Sequence, residues 1–130
     1  MTVLGIDPGT RKAGFAVLER GGPAPLALGI EPIETLRERV ALLLPAYGVE
    51  AVALGRGTNA TAVGLLLAGL GLPVHLIDET ETTLQARVLY FADHPPRGWR
   101  RLLPLGLQLP PRPIDDYAAM LIARRYLEGT

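Results

Sequence analysis

Three places in the chain hold carboxylates at positions that suggest chemistry. The first is Asp7 in VLGIDPGT, a single acid inside an apolar run. An ionised carboxylate taken out of water without partners is costly, so something must offset it. The second is Asp78-Glu79, directly after PVHLI, and the third is Asp115-Asp116, opening the last helical pattern. Acids at strand ends and helix starts suit hard divalent cations, which prefer oxygen ligands. Two such ions about 3.5–4 Å apart can stabilise both the attacking and the leaving oxygen of a phosphodiester under hydrolysis. Each acid also has a structural reading. Asp7 could cap the turn at Pro8 and Gly9 through an Asx-type hydrogen bond, and Asp78 and Glu79 could be solvated. Asp115 and Asp116 could answer the helix macrodipole. Successive strand residues point to opposite faces, so one of Asp78 and Glu79 would face a shared site. Asp115 and Asp116 diverge by about 100° around a helix.

Other chemistries are excluded by absence. The 130 residues include no cysteine and no serine, which removes thiolate metal sites, disulfides and Ser-His-Asp hydrolysis. Imidazole comes only from His75 and His94. His75 lies about 13 Å from Glu79 along a regular strand, too far to share a metal with it. Formal net charge is zero, so a polyanion would have to be met by a local patch. No secretory n-region precedes the first strand and no apolar run approaches a membrane span, so a cytoplasmic protein without membrane contact is expected.

The elements that must position the acids follow from periodicity. Residues 2–7 read as a strand apolar on both faces, hence central. Phe15 to Leu18 alternate as a second strand, and Leu26, Leu28 and Ile30 as a third, after the Gly21-Gly22 turn. Ile33, Leu36, Val40, Leu43 and Tyr47 then recur at helical spacing, with Pro32 suited to the first turn and Gly48 to the stop. A strand at 51–54, an apolar helix ending near Gly69-Leu70-Gly71, and a strand at 73–77 come next. Thr82 and Gln85 form a capping-box pattern for a further helix. Residues 94–113 are proline-rich and irregular, and the last helix runs from about Ile114 to Leu127. With 48% hydrophobic and 20% charged residues, a single globular domain over 1–130 is expected. Its class is α/β: a mixed five-stranded sheet, three antiparallel strands then parallel ones, with helices on both faces.

The motifs carry a resemblance. LGIDPGTRKAGFAV resembles the first motif of the YqgF and RuvC families, within the RNase H-like superfamily. PVHLIDETETTLQAR is similar to the YqgF pattern of an Asp-Glu pair followed by paired hydroxyl residues and a helix, and PIDDYAAMLIARRYLE resembles its last motif. The three lie in the right order across nearly the whole chain. The resemblance implies an RNase H-like fold and a Mg²⁺- or Mn²⁺-dependent nuclease, with Asp7, Glu79 and Asp115 as catalytic metal ligands and Asp116 an extra acid. The implied substrate is the 5′ end of pre-16S rRNA. Holliday-junction resolution is the alternative by likeness to RuvC, and would need a homodimer.

One turn departs from the YqgF pattern. GRGTNAT (55–61) replaces a longer loop, and the acid RuvC carries near the equivalent strand is missing. This turn resembles the Gly-x-Gly-Thr of the YqgF-like domain of Tex transcription factors, which implies a third reading, a non-catalytic RNA-binding module. Thr58 or Asn59 as a helix cap is the favoured account of the turn; backbone amides and Arg56 on a phosphate is the other. Arg97, Trp99, Arg100, Arg101 and Arg112 form a basic, acid-free segment around the single tryptophan. Arg forks suit phosphates and an indole can stack on a base, so these residues are candidate nucleic-acid contacts, extended by Arg11 and Lys12.

Overall fold

Thr2–Asp7 form β1, and Val3, Leu4, Gly5 and Ile6 within it are all buried, as expected of a central strand. The computed structural model describes residues 1–22, 24–57, 59–78, 82–94 and 115–129. Antiparallel to β1 lies β2 (Lys12–Glu19), which pairs in turn with β3 (Ala27–Pro32). On the other side of β1 lie β4 (Ala51–Gly55) and then β5 (Val74–Ile77), both parallel. The sheet order β3-β2-β1-β4-β5 is the mixed five-stranded arrangement read from the sequence.

Alternation along β1 sorts the two layers. Leu4 and Ile6 pack with Leu36, Val40 and Leu43 of α1 (Ile33–Tyr47) and with Val63 and Leu67 of α2 (Ala60–Leu67). Val3 faces the other way, toward Tyr90 and Phe91 of α3 (Thr82–Asp93) and Tyr117, Ala119 and Ala123 of α4 (Asp115–Glu128). Helix α1 stops where Gly48 turns left-handed at φ 62° and its N–H meets the Leu44 carbonyl. Helix α2 ends directly before Gly69, as the glycines there suggest. Ala68 is already extended, and Gly69 and Gly71 both take φ 86°.

Helix α4 sits unusually close to the sheet, because glycines remove the side chains that would hold it off. A Cβ on Gly5 would overlap the Ala119 carbonyl and stand 2.8 Å from the Ala123 Cβ. A Cβ on Gly14 would overlap the Asp115 carbonyl and stand 2.7 Å from the Asp116 amide nitrogen. Glycine inside a strand signals such a backbone approach. These two contacts fix where along the sheet the first turn of α4 lands.

Candidate active site

The parallel strands β1, β4 and β5 end at one edge of the sheet, and ligand sites in open α/β sheets lie outside such carboxyl ends. Asp7 is the last residue of β1 there and is half-buried. By alternation it shares the α4 face with Val3 and Gly5. Its cross-strand partner in β2 is Gly14, the residue on which the Asp115 backbone rests. Asp7 and Asp115, far apart in sequence, therefore start from adjacent backbone on the same face.

Helix α4 then divides its two opening acids. Asp115 keeps a side chain 35% exposed and pairs with Lys12, Nζ to Oδ2 3.9 Å. It borders a cleft of about 300 Å³ lined also by Gly9, Thr10, Arg11 and Lys12. Asp116 turns inward, is 5% exposed, and accepts the Tyr117 N–H on Oδ1 at 3.0 Å. The extra acid of the sequence motif is thus the buried one. Asp78 is exposed, and its backbone carbonyl accepts from Arg125 of α4.

The loop between Asp7 and β2 is anchored from both flanks. The Ile33 N–H of α1 donates to the Arg11 carbonyl at 2.9 Å. Asn59 Nδ2 donates to the Gly9 carbonyl at 2.7 Å. This corrects the sequence reading of Asn59. It occupies the N-cap position of α2 but makes no side-chain cap bond, reaching instead across fifty positions of sequence. That bond has no local signal. Arg11 and Arg56 are both exposed at this end of the sheet, and the Arg56 N–H extends the β4–β5 ladder to the Ile77 carbonyl at 3.1 Å.

The histidines are occupied elsewhere. His75 stacks on Tyr126 with ring centroids 4.9 Å apart, and His94 stacks on Tyr90 at 4.6 Å. Glu79, Thr58, Arg97, Trp99, Arg100, Arg101 and Arg112 lie outside the described residues. Among the described residues no group of three or more His, Asp or Glu side chains could hold a metal. A second hollow of about 240 Å³, between the β2–β3 turn and the end of α4, brings together Glu19, Arg20, Arg124 and Glu128. It lies at the far end of β1 from Asp7 and shares no residue with the Asp115 cleft.

No family-wide sequence profile matches the chain. Individual relatives do. A protein of Pelotomaculum thermopropionicum named "Putative pre-16S rRNA nuclease" is 32% identical, over 99% of this chain and 88% of its own length. One of the same name from Moorella thermoacetica is 34% identical, over 98% of this chain and 95% of its own. The chain belongs to the pre-16S rRNA nuclease family.

Solved structures place that family's fold. Thermus thermophilus RuvC bound to a Holliday junction superposes with a TM-score of 0.59 at 22% identity, covering 95% of this chain and 90% of RuvC. A second structure of the same RuvC gives 0.57 at 26% identity over all of this chain and 98% of RuvC. The chain therefore has the RuvC-type RNase H-like fold expected from its motifs.

Proposed function

We propose that this chain is a divalent-metal-dependent endonuclease that hydrolyses phosphodiester bonds in the 5′ leader of pre-16S rRNA. What supports the reading is that the backbone of Asp7 and that of Asp115 meet through Gly14 at the carboxyl end of β1, in a chain whose near-full-length relatives are named for this activity. Holliday-junction cleavage rests on likeness of fold alone, and no observation favours it over RNA.

The donor set fits a hard cation. Its described members are carboxylates, no imidazole turns toward them, and the cleft beside Asp115 is open to solvent-borne phosphate. Asp7 and Asp115 would hold Mg²⁺ or Mn²⁺, with Glu79, two residues past the end of β5, as the third ligand by its place in the motif. Such an ion polarises a phosphoryl oxygen and makes water a competent nucleophile near neutral pH. The chain's own residues do the rest. Lys12, 3.9 Å from the Asp115 carboxylate, offsets part of its negative charge. Arg11 and Arg56, both exposed at this end of the sheet, are available to phosphates, and Arg97, Trp99, Arg100, Arg101 and Arg112 would supply the longer-range grip on RNA. The protein would act in the cytoplasm; among the described residues no helix is long and apolar enough to cross a membrane.

The test is cleavage of a panel: pre-16S rRNA 5′ leader, unrelated single-stranded RNA and a four-way DNA junction, each with Mg²⁺ and with Mn²⁺. Metal-dependent cutting of the leader in preference to the others is expected. Tight binding without cutting under either metal would replace the nuclease by an RNA-binding module, and preferential cutting of the junction would replace the substrate.

A further inference from the structure

Asn59 stands where a helix cap belongs and does not cap. Asparagine at an N-cap ordinarily accepts from the backbone N–H two or three residues on, yet here its side chain makes no such bond. Among the described residues the α2 N-terminus is closed by backbone bonds, Ala60 N–H to the Gly57 carbonyl at 3.2 Å and Val63 N–H to the Asn59 carbonyl at 3.0 Å. The side-chain amide is spent on the Gly9 carbonyl, at 2.7 Å and partly buried. The turn at Gly9 is tight: a Cβ there would overlap the Lys12 carbonyl, and Pro8 beside it is buried with a ring-fixed φ. The Asn59 amide thus grips a tight, preformed turn only two residues after Asp7.

We propose that Asn59 is a positioning residue for the Asp7 carboxylate, clamping the 8–11 loop from the β4–α2 side while the Ile33 N–H clamps it from the α1 side. This deepens the metal-dependent reading above and rests on it for its catalytic consequence. It gives the GRGTNAT turn a role that neither capping nor phosphate contact supplies. Through Asn59 the turn reaches the acid site by way of the first motif's backbone, separately from any phosphate contact made by Arg56. Groups that orient ligands from behind typically matter about 10- to 100-fold to metal affinity.

Two substitutions separate positioning from capping. Asn59→Ser keeps a favoured cap residue but is too short to reach Gly9. Asn59→Gln is a poor cap that retains an amide donor able to reach. Two readouts are taken: backbone amide exchange of residues 9–12 in metal-free protein, and Mn²⁺ affinity from the free-ion paramagnetic resonance signal, with Asp7→Asn as reference. The expected result is faster loop exchange and about 10-fold weaker Mn²⁺ binding in Asn59→Ser, both largely restored in Asn59→Gln. Unchanged loop exchange in Asn59→Ser overturns the proposal. So does a loss in Asn59→Gln that exceeds the loss in Asn59→Ser, since that order marks a cap. If wild type and Asp7→Asn bind Mn²⁺ equally, the metal reading has failed, and loop exchange alone then decides for or against the clamp.

Discussion

Asp7 and Asp115 carry the proposed chemistry, and each makes a separate demand on experiment. Asp7→Asn removes a ligand charge without changing size, so Mn²⁺-dependent cleavage should fall by about 100-fold or more while the melting temperature holds or rises. A thermal melt beside a single-turnover assay reads both. Glu79→Gln should be as damaging and Asp78→Asn nearly silent; the reverse order would move the ligand assignment by one residue. Asp116 differs from a spare acid. It is 5% exposed, so Asp116→Asn is expected to lower stability before it lowers turnover. Away from the site, Glu31 gives a pH signature. The Thr35 hydroxyl at 2.6 Å, and then Arg39 at 2.9 Å, hold its carboxyl below the ordinary value of 4.5, against partial burial that pushes it up. A lowered carboxylate stabilises the fold above the ordinary value and loses that contribution as pH falls through the lowered one. Glu31→Gln should therefore cost about 1 kcal/mol or less near neutrality and nothing near pH 2, in urea titrations at the two pH values.

At the scale of elements, the seating of α4 is the feature to test. Gly5→Ala and Gly14→Ala each push a methyl into backbone of α4, and each should cost at least about 1–3 kcal/mol by denaturant unfolding. Only Gly14→Ala displaces the turn that bears Asp115, so its cleavage should fall well beyond what lost stability explains, whereas Gly5→Ala should track stability. Equal activity losses would show that the helix moves as one rigid piece. The order and type of the elements were legible in the sequence, because alternation gives way to helical spacing at Ile33 and because β1 is apolar on both faces. The stop of α2 was legible too, in Gly69 and Gly71, which both take positive φ just past its end. The candidate site was legible as acids at element ends. Which of Asp115 and Asp116 turns outward was not, since that depends on how α4 lands on Gly14. The Asn59–Gly9 bond joins positions fifty apart and has no periodic trace at all.

At the scale of the molecule, zero net charge means that RNA affinity has to come from local cations. The triple variant Arg97→Ala, Arg100→Ala, Arg101→Ala should weaken leader binding and flatten its dependence on salt. In a double-logarithmic plot the slope should drop by up to about 0.7–0.9 for each phosphate that is no longer neutralised. An unchanged slope would return that segment to packing. Trp99→Ala should weaken single-stranded substrates more than duplex, if the indole stacks on a base. The glycine seats under α4 have a further consequence for how such a chain can change over generations. Because Gly5 and Gly14 dictate where the helix comes to rest, the stretch that leads into it need not measure out a distance. Asp115 takes its place beside Asp7 from the sheet beneath it. The relative placement of Asp7 and Asp115 is thus written into the sheet itself, in two glycines that any descendant of this chain would have to keep.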